Sequence, residues 1–514
     1  MPRFFNTAGP CLPEQHYMLP PQRRSVEART LIDRALFFVL HAPRQSGKTT
    51  LLNTLAQDLN REGRYAALVT SVEHLQRTTD VRAGNVSLVR TLSSDSKLFL
   101  PPAEQPPDPE SVLEDPLLAL QEHLRAWSAV CPKPVILLID EIDCLPEDLL
   151  LSVLRQLRRG YTARPAPFVH SLALVGLRDV RDYKVKLRPD AESMGTASPF
   201  NIKSDSLTLR NFSRDEVAEL YAQHTEETGQ LFEPAAVDEA HRATGGQPWL
   251  VNALARQLTE EEVPDRAWPI GTSHVVAARE ALILRRDTHL DSLVDKLHEP
   301  RVRRIIEPIL IGETLAPDVM NDDLLYVRDL GLVTTEPAVR IANPLYEEVI
   351  PRSLTYVMQR SLGQDASWYQ RPDGSLDMAA LLRSFQEFFA EHSEPWLERF
   401  DYKEAGPHLI LMAFLQRVVN GGGRIQREFA IASGRADVVV EWRGARYALE
   451  LKVRRSDRTL AQGIAQLARY LERLRLDEGY LILFDRRAGV SWDEKIYERD
   501  LDAPGGRQIH LFGA

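Results

Sequence analysis

The chain has 514 residues, 44% of them hydrophobic and 26% charged, and a formal net charge of −10. Ordinary globular composition over that length predicts roughly two to four domains, and the acidic balance excludes a surface that attracts nucleic acid everywhere. Three widely spaced cysteines, Cys11, Cys131 and Cys144, exclude a disulfide framework and a cysteine metal site; with no secretory apolar core and no run of about 18 apolar residues, a cytoplasmic protein without a membrane span is expected.

Residues 1–25 hold Phe4, Phe5, Tyr17, Pro20 and Pro21 and read as an ordered arm. Apolar runs at 36–41, 65–70, 134–140 and 169–176 alternate with helical stretches, the pattern of a parallel α/β sheet. The first run leads into Ala42-Pro43-Arg44-Gln45-Ser46-Gly47-Lys48-Thr49 and then a helical Thr50-Leu51-Leu52. Strand, small-residue loop ending in Gly-Lys-Thr, then helix is the order of a phosphate-binding loop. Its backbone N–H groups and the helix N-terminus would surround the phosphates of ATP. Lys48 would reach the β and γ phosphates, and the Thr49 hydroxyl would sit on Mg²⁺. Ala42 stands where the motif has its first glycine and is small enough for such a loop. Residues 84–111, crowded toward their end by Pro101, Pro102, Pro106, Pro107 and Pro109, read as an inserted surface loop.

The run 134–139 closes on Asp140 and Glu141, as a strand buried on both faces would. Asp140 would hold Mg²⁺ through water, and Glu141 would polarise the water attacking the γ-phosphate. The alternative is a buried strand running into an acidic helix cap at Asp143. Residues 211–258 turn helical. Ser213 and Glu216 have capping-box spacing, and in Thr244-Gly245-Gly246-Gln247-Pro248 the glycines end one helix while Pro248 opens the next. Residues 275–357 read as short helices followed by a ribbon at 331–333 and 339–341, a winged-helix pattern. Weak basicity favours a packing role there over DNA binding, for which Arg301, Arg303 and Arg304 are the dense candidates. Residues 358–378 read as a linker.

The C-terminal stretch 401–514 holds 19 Lys and Arg against 16 Asp and Glu, a net of +3 on an acidic body. That permits local contact with nucleic acid. Asp437 opens one apolar strand, Arg443-Gly444 makes a turn, and the returning strand carries Glu450 and Lys452 two residues apart on one face. Asp437 and Glu450 can hold Mg²⁺ or Mn²⁺ through oxygen, the metal can activate water, and Lys452 can position that water or stabilise developing charge. A structural Glu–Lys pair is the alternative. A helix over 463–470 places Gln462 and Gln466 on one face, and 478–487 supplies another core strand.

The phosphate loop, the acidic strand end and the Gly-Gly-Gln-Pro turn together resemble bacterial AAA-like, STAND-related ATPases. Phe4-Phe5-Asn6-Thr7-Ala8-Gly9-Pro10, His16-Tyr17, Gly176-Leu177-Arg178-Asp179 and Ser198-Pro199-Phe200-Asn201-Ile202 extend that resemblance over about residues 1–350. It implies an ATPase core with its arm at 1–210, a helical lid at 211–270 and a winged helix at 271–357. It further implies that Pro248 approaches the nucleotide, that Tyr17 lines the adenine pocket and that Arg178 occupies the γ-phosphate sensor position, where a salt bridge to Asp179 or Asp182 is as good a role. Homo-oligomerisation on ATP binding is expected.

Residues 379–514 resemble the PD-(D/E)XK nuclease superfamily, with Asp437 followed by Glu450-Leu451-Lys452. That resemblance implies a preceding helix at 404–419, with Glu404 as an extra metal-site acid, and a contribution from Gln466. The whole is expected to be an α/β protein: a P-loop ATPase sheet with helical lid and winged helix, then a restriction-endonuclease-like domain. ATP-regulated, metal-dependent cleavage of nucleic acid, DNA in preference, is the leading expectation. Genome defence or a mobile element fits by association. The alternatives are a nucleotide switch with an inactive nuclease-like domain that binds DNA or a partner, and a winged-helix DNA-binding regulator.

Overall fold

The computed structural model describes residues 2–177, 203–285, 293, 295–310, 315–318, 320–354, 369–397, 407–408, 410–412, 414–415, 423–429, 436–454, 458–485 and 491–514. The chain divides into two compact units, residues 1–285 with 329–331, and residues 286–328 with 332–514. Among the described residues no helix is long and apolar enough to cross a membrane.

In the first unit, the described residues form five parallel strands: β1 (Phe37–His41), β2 (Ala66–Ser71), β3 (Val135–Asp140), β4 (Ser171–Gly176) and β5 (Lys203–Thr208). They lie in the order β2-β3-β4-β1-β5. Every residue of β1, β3 and β4 is buried, because helices cover both faces. Phe37 and Val39 point to the side of α3 (Val81–Phe99), α4 (Ala119–Val130) and α5 (Glu147–Thr162). Phe38 and Leu40 point to the side of α1 (Val26–Asp33) and α2 (Lys48–Glu62). The four expected strands are all present. The fifth, with the polar sequence Lys-Ser-Asp-Ser-Leu-Thr, has no apolar alternation to announce it.

The loop expected at 84–111 is corrected by α3, whose 19 residues run to Phe99. Asp80 caps it, accepting from the N–H groups of Arg82 and Ala83. Leu88, Val89 and Leu92 face the core, while Asn85, Ser93 and Ser96 are buried polar residues. Ser96 Oγ donates to Ser93 O, and Asn85 Nδ2 donates to Ser152 Oγ. These inward polar groups are satisfied by partners, so a sequence that looks like loop folds as helix.

Four helices follow, α6 (Arg214–Thr228), α7 (Pro234–Thr244), α8 (Pro248–Gln257) and α9 (Thr272–Arg285). The capping box at Ser213 and Glu216 is formed, and Gly245 ends α7 at φ 58°. The N-terminal residues pack on these helices: Phe5 and Tyr17 join Tyr221, His224 and Phe232 in one aromatic cluster.

Residues 300–354 of the chain contain α10 (Pro300–Leu310), α11 (Asp322–Asp329), the two-stranded ribbon β6 (Val333–Thr334) with β7 (Arg340–Ile341), and α12 (Pro344–Leu354). The end of the expected linker is instead built into the second unit. Tyr369 stacks edge-on against Trp442 at 5.9 Å, and Trp442 Nε1 donates to Gly374 O at 3.0 Å. After α13 (Met378–Leu397), the strands β8 (Gly423–Phe429), β9 (Ala436–Trp442), β10 (Ala445–Val453), β11 (Glu478–Phe484), β12 (Tyr497–Ala503) and β13 (Arg507–Gly513) form a mixed sheet. Their order is β12-β13-β11-β10-β9-β8, with α14 (Arg458–Leu474) packed on it.

Candidate functional site

The first unit brings its predicted residues together at the C-terminal ends of β1 and β3. Gly47, at φ 90°, turns the chain into α2, a conformation that favours glycine. Lys48 is buried, and its Nζ donates to Ala42 O at 2.9 Å and Pro43 O at 3.0 Å. Ser46 Oγ closes the loop by donating to Pro43 O at 2.7 Å, while Arg44 and Gln45 lie exposed. Thr49 Oγ1 donates to Asp140 Oδ2 at 2.7 Å. Thr50 Oγ1 accepts from the Cys11 N–H at 3.1 Å, which ties the arm to α2.

Glu141 follows Asp140 in the left-handed region at φ 58°, an uncommon conformation for a residue with a side chain. Its N–H donates to Asp140 Oδ1 at 3.0 Å. Burial raises both carboxyl groups above the usual range, and the Asp140 charge adds to the rise at Glu141. Burial also pulls Lys48 down, against the opposing pull of Glu141 and Asp140. A hydroxyl and a carboxylate meeting beside a lysine at a helix N-terminus fit an oxygen-coordinated Mg²⁺ on a phosphate chain. Thr49 and Asp140 would hold the metal, and Lys48 would exchange its loop carbonyls for phosphate oxygens.

Asp143 does not cap α5, which starts at Glu147 behind Pro146. Its Oδ1 instead accepts from the Leu177 N–H at 3.3 Å, at the end of β4. A Cβ on Gly176 would come within 2.5 Å of that oxygen, so only glycine allows this approach. Arg178 lies outside the described residues. Pro248 is buried in the first turn of α8, and Tyr17 is buried in the aromatic cluster with Phe5 and His224. Sequence reading missed Gln247, whose Oε1 accepts from the Leu250 N–H at 2.6 Å and whose Nε2 donates to Gln45 O at 3.4 Å.

The second unit holds the other predicted group on β10. Arg443 and Gly444, at φ 48° and 88°, make the expected hairpin turn between β9 and β10. Val438, next to Asp437, pairs with Leu449, next to Glu450. The side chain of Asp437 lies outside the described residues, as does Glu404. Glu450 and Lys452 are both buried beneath α14, and Lys452 Nζ donates to Glu450 Oε1. A Cβ on Gly463 of α14 would lie 3.2 Å from Lys452 Cγ, so the glycine lets the helix settle over the pair. Gln466 is half-buried and Gln462 exposed.

Tyr470, four residues beyond Gln466, completes this face and was missed in the sequence. Its spacing from Gln466 is the signal that could have found it. Its ring is buried, and burial with the nearby Glu450 charge pushes its hydroxyl up to about 12. Neither Tyr470 Oη nor Gln466 Oε1 has a hydrogen-bond partner among the described residues. Buried polar atoms ordinarily find partners: the Gln466 oxygen takes a donor or a cation, and the Tyr470 hydroxyl can donate to a phosphate oxygen. The described residues contain no converging group of three or more His, Cys, Asp or Glu. Of the arginines considered for DNA contact, Arg301 and Arg304 pair with Asp323 at 3.3 and 2.7 Å.

Strand order and loop geometry define the first unit as a P-loop ATPase fold. Residues 404–483 match the family described as the endonuclease NucS C-terminal domain. The chain therefore joins a P-loop ATPase fold to a nuclease-related C-terminal domain. Among solved structures, a Walker-type ATPase of Pyrococcus abyssi is similar at 14% identity and a TM-score of 0.49, over 67% of this chain and 99% of that one. The RuvB Holliday junction branch migration motor of Thermotoga maritima shares 14% identity over 64% of this chain and 93% of its own, with a TM-score of 0.35. Cdc6p of Pyrobaculum aerophilum shares 14% over 66% and 95%, also at 0.35. No curated protein matches the chain.

Proposed function

We propose that this protein is an ATP-regulated, metal-dependent nuclease, with a STAND-related ATPase at the front and a PD-(D/E)XK-type site at the back. The observation that carries the reading is the buried Glu450–Lys452 pair beneath α14, the helix that carries Gln466 and Tyr470, whose Oε1 and Oη have no partner among the described residues. A Mg²⁺ or Mn²⁺ ion there supplies Lewis acidity toward a phosphodiester and its attacking water. Glu450, with Asp437, would hold it, Lys452 would stabilise charge on the phosphate, and the Gln466 carbonyl would orient the water. DNA is the favoured substrate.

At the front, Lys48 and the loop N–H groups bind the phosphates, and Glu141 accepts the proton of the hydrolytic water. Pro248 would approach the nucleotide from the helical lid and Tyr17 of the arm would line the adenine pocket, and ATP would favour assembly of copies of the chain. The helices and two-stranded ribbon within 271–357 would make a winged helix, and the pairing of Arg301 and Arg304 with Asp323 favours a packing role for it.

One observation favours a second reading. Lys452 already neutralises Glu450, as it would in a nuclease-like domain kept only for binding. Incubation of plasmid, linear DNA and RNA with Mg²⁺ or Mn²⁺, with and without ATP, separates the two. Cleavage by wild type that is lost in Glu450→Gln supports the nuclease, and a changed rate in Lys48→Ala supports gating. ATP-dependent oligomerisation with no cleavage under any condition supports the switch.

A further inference from the structure

The phosphate loop is braced from outside by two side chains distant from it in sequence. Arg24 ends the 3-10 turn Pro21–Arg24 and is buried. Its Nη1 donates to Ser46 O at 2.9 Å. The same guanidinium donates from Nε to Arg210 O at 2.7 Å, again from Nη2 to that carbonyl, and lies 4.9 Å over the Phe212 ring. Burial lowers its pKa to about 10, so it stays charged at neutral pH. Gln247 provides the second brace, on Gln45 O.

A planar peptide carries its C=O and the following N–H on opposite sides. A donor fixed on Ser46 O therefore turns the Gly47 N–H the other way, and Gln247 does the same for the Ser46 N–H. Successive N–H groups aimed at one point make an anion-binding concavity. Arg24 also reaches the lid. Phe212, under its guanidinium, donates its N–H to Gly246 O at 2.8 Å, and Gly246 leads directly to Gln247.

We propose that Arg24 is a positioning residue for nucleotide binding: it holds the peptide joining Ser46 and Gly47 in the anion-binding orientation and links phosphate occupancy to the lid turn at 245–248. This rests on the nucleotide-binding reading above. The link runs both ways, since a phosphate that fixes the Ser46 carbonyl also fixes the Arg24 guanidinium against Arg210 and Phe212.

The test is nucleotide titration of the full chain with a fluorescent ATP analogue, beside melting without nucleotide and hydrogen exchange of the lid turn. Arg24→Met keeps the bulk and removes every donor. It should weaken binding by about 10- to 100-fold, the worth of a charge-assisted hydrogen bond. Nucleotide-induced protection of 245–248 should disappear with it. Arg24→Lys keeps the charge and one donor, and should regain part of the affinity but not the lid protection. It carries the test alone if Arg24→Met does not fold. Wild-type affinity with wild-type lid protection in either folded variant overturns the proposal, whatever the melting temperature. If the wild type itself binds no nucleotide, the ATPase reading falls as well, and Lys48→Ala shows no difference.

Discussion

Tyr470 is a side chain whose cost to the fold and use to the site pull in opposite directions. Its hydroxyl is buried and has no partner among the described residues. Tyr470→Phe should therefore leave the unfolding free energy within about 0.5 kcal/mol of wild type, or raise it, because no hydrogen bond is lost. Cleavage should fall by about tenfold or more if the hydroxyl serves the substrate or its water. Urea melts beside the plasmid assay measure both, and equal losses in the two would remove the site role. Glu216 is the opposite case. The hydrogen bond from Arg210 holds its carboxyl at about 2, against an ordinary 4.5. The pair's stabilisation is complete above 4.5 and fades as pH falls toward 2. Glu216→Gln keeps the capping geometry but loses the ion pair, so it should cost about 0.5–1 kcal/mol at neutral pH, discounted for the half-exposed arginine. Melting curves from neutral pH downward should show that gap closing across the same window. A gap that persists at the acid end would place the loss in the cap instead.

At the scale of elements, glycines fix how closely the lid turn approaches β5's exit. Gly246 has φ +69°, and a Cβ there would stand 2.0 Å from Phe212 O. Gly246→Ala must break that approach, and a loss of about 2–4 kcal/mol is expected from strain and overlap together. Gly229→Ala, with a similar φ and open space, should lose less than half as much, since it carries the φ strain alone. Comparing the two by chemical denaturation isolates the overlap. The phosphate loop and the strands beneath it were legible because their chemistry is local: strand, loop and helix are contiguous, and apolar runs announce buried strands. The β9–β10 hairpin and its Glu450–Lys452 face were legible for the same reason, from period-two alternation. What escaped was settled by distant partners. Arg24 meets carbonyls of residues 46 and 210, Asp143 meets an N–H of residue 177, and α3 hides its polar inner face against residue 152. β5 escaped because pairing with β1 replaces the apolar signal that a more buried strand needs.

On the scale of the whole molecule, two compact units in one chain predict two unfolding transitions. With Mg²⁺ present throughout, adding saturating ATP should shift only the transition of the first unit, by about 2.7 kcal/mol at a hundredfold excess over Kd. Mn²⁺ alone should shift only the second. Calorimetry with each ligand in turn tests this. A single transition moved by both ligands would mean that the units unfold as one.

Lys48 and Lys452 occupy equivalent positions in this scheme. Each ammonium is buried, and each is held by oxygens of its own site, Ala42 and Pro43 for the one and Glu450 for the other. Lys452 has its counterion, Glu450, tethered beside it, whereas Lys48 rests on neutral carbonyls; in the proposed reading a bound phosphate would draw Lys48 off those carbonyls. Raising ionic strength should therefore weaken nucleotide binding at Lys48 more than ligand binding at the self-neutralised Glu450–Lys452 pair.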